Sequence, residues 1–101
     1  MRIVVLFNLK PGVDAAEYER WARETDLPGV RALASVADFQ VYRATGLFGR
    51  EDAPPYAYIE TIDVPDPAAF GREVMTEAVR KVAAAFQGFA DDPLFITTEA
   101  L

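Results

Sequence analysis

Three polar side chains in one short stretch have the types and spacing for acid–base chemistry. In Tyr56-Ala-Tyr-Ile-Glu-Thr-Ile62 the residues alternate, so a β-strand here puts Tyr56, Tyr58 and Glu60 on one face and Ala57, Ile59 and Thr61 on the other. A carboxylate in line with two phenols is a polar stripe on a face that packing can bury. Burial lifts a glutamate from about 4.3 toward 6–7, where it is a competent base. Glu60 is therefore the candidate base, Tyr58 or Tyr56 its assistant, and Arg43 or Arg50 the charge stabiliser. This requires Glu60 to face a cavity between sheet and helices, which the alternation permits. The structural alternative for Arg43 is a charge pair with Glu60 or Glu51.

Absences narrow the chemistry further. The chain has no cysteine and no histidine, so thiolate chemistry, disulfides, the usual neutral-pH base and the commonest metal ligand are all missing. Ser35 is the single serine and has no base beside it in the sequence. Gly46 and Gly49 lack the lysine and serine of a phosphate loop and do not stand between a strand and a helix. The acidic pairs Glu51-Asp52 and Asp91-Asp92 read as solvated turns rather than metal ligands, and no cofactor or metal is expected.

The elements that must position Glu60 follow from patterning. Ile3 to Leu9 reads as a first strand, mostly buried on both faces, with Asn8 as its polar interruption. Asn8 either bonds the Pro11-Gly12 turn or orients a ligand. Asp14-Ala-Ala-Glu17 is a capping box, with Val13 and Tyr18 as a hydrophobic staple, so a helix starts at Ala15. Tyr18, Trp21 and Thr25 form its inward stripe, and Asp26-Leu-Pro-Gly29 is expected to stop it. The lone tryptophan, Trp21, is either a core or subunit-contact residue or one wall of a cavity.

A second strand puts Asp38, Gln40 and Tyr42 opposite Phe39, Val41 and Arg43. Ala44 to Pro55, with two glycines and two adjacent prolines, is a surface loop ahead of the tyrosine strand. Asp66-Pro67 caps a helix whose stripe runs through Phe70, Val74, Ala78, Val82 and Phe86, broken near Gly71 and Thr76 and ending at Gln87. Gly88 to Pro93 reads as a turn-rich link, and Leu94 to Thr98 as a last strand. The order β-α-β-β-α-β predicts a ferredoxin-like α+β fold, a four-stranded antiparallel sheet with both helices on one side, over a single domain 1–101.

Of 101 residues, 51% are hydrophobic, a generous share that suits a sheet whose open face pairs with a second copy. Sixteen acids against ten bases leave a net charge of −6, which argues against nucleic acid or an anionic membrane as partner. Met1 to Phe7 is too short for a signal peptide and no run reaches the ~20 residues of a membrane span, so a soluble cytoplasmic protein is expected.

Three short features point further: Pro54-Pro55-Tyr56 leading into the tyrosine strand, Asp66-Pro67…Phe70 opening a helix, and Phe86…Phe89…Asp91 before the last strand. Together they resemble the dimeric α+β barrel superfamily. The whole chain, opening Met1-Arg-Ile-Val-Val-Leu-Phe-Asn-Leu-Lys-Pro-Gly12, is similar to the RedY-like (HapK) proteins of prodigiosin-type pigment pathways. The resemblance implies a homodimer whose two sheets close into a barrel, a pocket in each subunit, and tailoring of pyrrole- or indole-derived compounds.

Many members of the wider superfamily use a histidine for catalysis or haem ligation, and this chain has none. Two classes of function follow, a cofactor-independent condensing, cyclising or dehydrating enzyme and a non-catalytic binder or structural dimer. A cofactor-free monooxygenase is a third reading. In the enzyme reading Glu60, Tyr58 and Arg43 carry the chemistry. Asn8 and Tyr58 orient a small aromatic ligand, Trp21 and Phe48 clamp it, and Tyr18, Arg50 and Tyr56 complete the binding set.

Overall fold

A computed structural model describes residues 1–101. Four strands, β1 (Arg2–Leu9), β2 (Asp38–Arg43), β3 (Tyr58–Asp63) and β4 (Ala90–Thr97), form one antiparallel sheet in the order β2-β3-β1-β4. Helices α1 (Ala15–Trp21), α2 (Leu27–Arg31), α3 (Pro67–Glu73) and α4 (Glu77–Phe89) lie on one face. Alternation decides which strand residues meet them. Ile3, Val5 and Phe7 of β1, Phe39 of β2 and Tyr58 and Ile62 of β3 are buried against Tyr18, Ala22 and Phe86. Val4 and Leu6, on the opposite face of β1, are only half-buried, because nothing in the chain covers that side.

Both acidic caps form, although the reciprocal Glu17 bond of the expected capping box does not. The Asp14 carboxylate accepts from Ala16 N–H, and that of Asp66 accepts from Ala68 and Ala69 N–H with Pro67 at the first helical position. The break in the second helical stretch falls at Val74–Thr76, where the Thr76 hydroxyl donates to Glu73 C=O at 2.7 Å.

Two helix boundaries differ from the sequence expectation. The first helix does not stop at Asp26-Leu-Pro-Gly29. One π-helical turn, Ala22–Asp26, closes with Leu27 N–H bonded to Ala22 C=O, and α2 follows directly. A proline inside a regular helix loses a hydrogen bond and clashes with the carbonyl four residues back; the wider turn ahead of Pro28 absorbs the misfit. It also re-aims the helix face, so Asp26 is buried where Thr25 was expected, and Thr25 faces solvent.

The second difference concerns Gly88 to Pro93, which is no turn-rich link. Helix α4 runs to Phe89 and β4 begins at Ala90. The last helical turn is pinned by Phe89, whose ring packs edge-to-face with Tyr18 and tilted against Trp21. Asp91 to Pro93 form a bulge where β4 carries an extra residue against β1 between Leu6 and Asn8, with Asp92 at φ 45°. Pro93 is tolerated because β4 is an outer strand.

Candidate functional site

Glu60 stands at the middle of the sheet, opposite Val5 on β1 and Val41 on β2, and points to the helix side. It is 4% exposed and lines a cavity of about 140 Å³ with Phe39, Ile62, Val82 and Phe86, while Gln87 and Phe95 mark its exposed side. Its Oε2 has no hydrogen-bond partner. Burial, reinforced by the negative charge of Asp26, pushes its carboxyl up to about 8, past the 6–7 anticipated for a buried base. At neutral pH the group is therefore mostly the carboxylic acid.

Asp26 is the residue sequence reasoning missed. It reaches the same cavity from the π-helical turn, is also 4% exposed, and burial raises its carboxyl to about 7. The available signal was Pro28 itself, since a proline following a long helical pattern forces a register change just ahead of it.

The other two proposed catalytic side chains lie elsewhere. Arg43 pairs with neither Glu60 nor Glu51; its guanidinium grips Glu19 on α1, with Nε donating to Oε2 at 2.8 Å. Tyr58 donates its hydroxyl to the same oxygen at 2.8 Å. Arg23 adds a third donor to Glu19 at 3.3 Å. These bonds, that from Arg43 first, hold the Glu19 carboxyl down to about 2. Burial and then Glu19 push the Tyr58 phenol up to about 12. The cluster borders a separate groove of about 190 Å³ lined by Ala22, Leu27 and Val41. Glu19 could have been suspected from its spacing of four to Arg23, though its tie to Arg43 spans two elements.

The expected binding residues scatter. Tyr18 is fully buried, edge-on to Phe7 and Tyr58, and its hydroxyl has no partner; burial and the nearby Glu60 raise its phenol. Trp21 lies half-buried against Phe89 and lines neither cavity, and Phe48 is fully exposed on the loop, so the two form no clamp within the chain. Arg50 pairs with Asp52 in the same loop, and Tyr56 sits half-buried ahead of β3 rather than on it.

Asn8 bonds neither the Pro11-Gly12 turn nor the cavity. Its amide donates to Pro55 C=O at 3.1 Å and accepts from Ala57 N–H at 2.9 Å, tying down the end of the loop. Two such bonds are worth about 1–2 kcal/mol together when partly solvated. Asn8→Ala is expected to lose that amount in chemical denaturation and to speed proteolytic cleavage between Ala44 and Ala57. An unchanged cleavage pattern would mean other contacts hold the loop.

The sheet order, the helices confined to one face and the acid-bearing cavity beneath them define a ferredoxin-like α+β protein. The family model described as "REDY-like protein HapK" matches residues 1–101. The chain belongs to the HapK (REDY-like) family. Its structure is similar to the crystal structure of HapK from Hahella chejuensis, at TM-score 0.74 and 27% identity, covering 100% of this chain and 95% of that one. It also resembles At3g17210 from Arabidopsis thaliana (TM-score 0.76, 19% identity, 99% and 98% covered). A dimeric ferredoxin-like protein of unknown function from Thermobifida fusca matches at TM-score 0.72 and 18% identity, with 94% and 85% covered. No curated protein matches the chain. No helix is long and apolar enough to cross a membrane.

Proposed function

We propose that the chain is a homodimeric, cofactor-independent tailoring enzyme that takes a pyrrole- or indole-type ring into the Glu60 cavity and promotes condensation, cyclisation or dehydration by proton transfer. The observation that carries this reading is Glu60 itself: a buried carboxyl with one unpartnered oxygen, aimed into an apolar cavity. A purely structural glutamate would be paired, since an unsatisfied buried acid costs stability. Shifted groups of this kind concentrate at functional sites.

Size and charge favour the ligand class. A dry cavity of about 150 Å³ admits one benzene-sized ring, and the cavity here is about 140 Å³. One ring fits inside; the rest of a larger intermediate would extend past Gln87 and Phe95. No Lys or Arg lines the cavity, which disfavours anionic ligands and favours a ring bearing N–H donors. The dimeric relative and the half-bare outer face of the sheet support assembly as a homodimer.

The test is turnover by Glu60→Gln against a panel of bipyrroles and indoles. General acid–base catalysis contributes about 10²–10⁴-fold, so kcat should fall by that range while ligand affinity stays within a few-fold. Saturable binding by the wild type without turnover would favour the non-catalytic binder, which the ring-sized cavity also suits.

A further inference from the structure

We propose that Asp26 and Glu60 act as one coupled acid–base pair, Asp26 the carboxylate and Glu60 the acid, so that one cavity supplies both the base and the acid of the reaction. This rests on the cavity being the substrate site. The two carboxyls come from different layers, Glu60 from the centre of β3 and Asp26 from the π-helical turn above it, and line the same cavity. Each is 4% exposed, and neither has an arginine or lysine partner.

Around the pair the other elements offer no charge. Strand β2 contributes Phe39, α3 Phe70, α4 Val79, Val82 and the neutral Gln87, and β4 Phe95. The remaining ionisable group that senses both carboxyls is the Tyr18 phenol on α1, which is neutral and itself buried without a partner. Two carboxylates in an apolar space without a cation cannot both stay ionised at low cost, so the first proton to bind is held strongly by the pair as a whole. Glu60 is displaced upward by burial and then by Asp26, in agreement with this, while Asp26 is displaced by burial alone.

Glu60, the carboxyl displaced further and the one with a fully isolated oxygen, holds the proton at rest, and Asp26 is the carboxylate. In a dehydration, Asp26 takes a proton from a ring-adjacent C–H or N–H. The freed electron pair becomes the new double bond, the C–O bond breaks, and the oxygen leaves as water with the proton of Glu60. The proton count is unchanged and the proton sits on the opposite partner; its return to Glu60, directly or by exchange with water, restores the starting state.

The experiment follows the carboxyl carbons of Asp- and Glu-labelled protein by ¹³C NMR from pH 4 to 10, in the wild type, Asp26→Asn and Glu60→Gln. Coupling predicts that Asp26→Asn moves the Glu60 midpoint down by about one pH unit, whereas Glu60→Gln leaves Asp26 nearly in place, because Glu60 is still neutral while Asp26 titrates. A Glu60 midpoint that stays put in Asp26→Asn would overturn the pair, even if Glu60→Gln abolishes turnover and the cavity remains the active site. A downward Glu60 shift in Asp26→Asn establishes the coupling without any substrate; it would stand even if no ring compound were turned over, in which case only the proposed function falls.

Discussion

Raising the pH from 5 to 9 is expected to destabilise the folded protein by several kcal/mol, and Glu60→Gln is expected to remove a large part of that loss. Glu60 and Asp26 bind their protons more tightly in the folded than in the unfolded chain, at about 8 and about 7, against ordinary values of roughly 4.3 and 3.9. Between those limits the folded state carries more protons, so stability falls as pH rises, by about 1.4 kcal/mol per unit for each group that remains protonated only when folded. The stabilising effect is full below about pH 4 and gone above about pH 8–9.

Glu19 works in the opposite sense. Held down to about 2 by Arg43 and Tyr58, it contributes stability above its unfolded value that is lost as pH falls through 2. The stability optimum should therefore lie on the acidic side of neutrality, near pH 4–5. Urea denaturation of the wild type and Glu60→Gln at pH 5, 7 and 9 checks this. A wild-type midpoint that is flat from pH 5 to 9 would mean the two carboxyls are solvated. Above pH 8 the variant should be the more stable protein, since it replaces a buried unpaired charge by a neutral amide.

The second large effect concerns the outer face of the sheet. Cross-strand pairing places Tyr42, Ile59, Leu6 and Leu94 in one row, and Gln40, Thr61, Val4 and Ile96 in the next. Tyr42, Leu94 and Ile96 are each roughly half exposed. Such a contiguous apolar strip is uncommon on a monomer and suits burial against its own copy. Ile59→Lys puts an unpaired ammonium at the centre of that strip and, in an isolated subunit, leaves it in solvent. Burying such a charge costs several kcal/mol, so the dissociation constant should rise by a factor on the order of 10³ or more. Sedimentation should find the wild type at about twice the subunit mass of 11.1 kDa and the variant at the subunit mass, still folded. An Ile59→Lys protein that sediments with the wild type would place the interface elsewhere.

Much of the fold was legible because its signals are local. The period-two alternation of Tyr58 to Ile62 placed Glu60 on the same face as the core tyrosine, Asp14 and Asp66 announced two helix starts, and Gly71 with Thr76 announced a break. The missed boundaries are those where tertiary contacts override local preference. Phe89 keeps α4 helical past Gly88 because Trp21 and Tyr18 hold its ring. Similarly, Pro28 shifts a helix rather than ending it, because α2 continues alongside β2 and α4.

By itself, the sequence determined that this chain would alternate strands and helices in the order β-α-β-β-α-β, that Glu60 would share a face with Tyr58, and that its chemistry must proceed without histidine or cysteine. Periodicity and composition are enough for those. Only the tertiary structure decided which charges meet. Arg43 found Glu19 rather than Glu60, because Glu19 stands beside it across the α1–β2 groove while Glu60 lies deeper under the helices. Asp26 entered the Glu60 cavity because a single wide turn rotated the helix by one residue. Pairings between residues far apart in the chain depend on how elements cross and on small changes of register, and no local pattern encodes either.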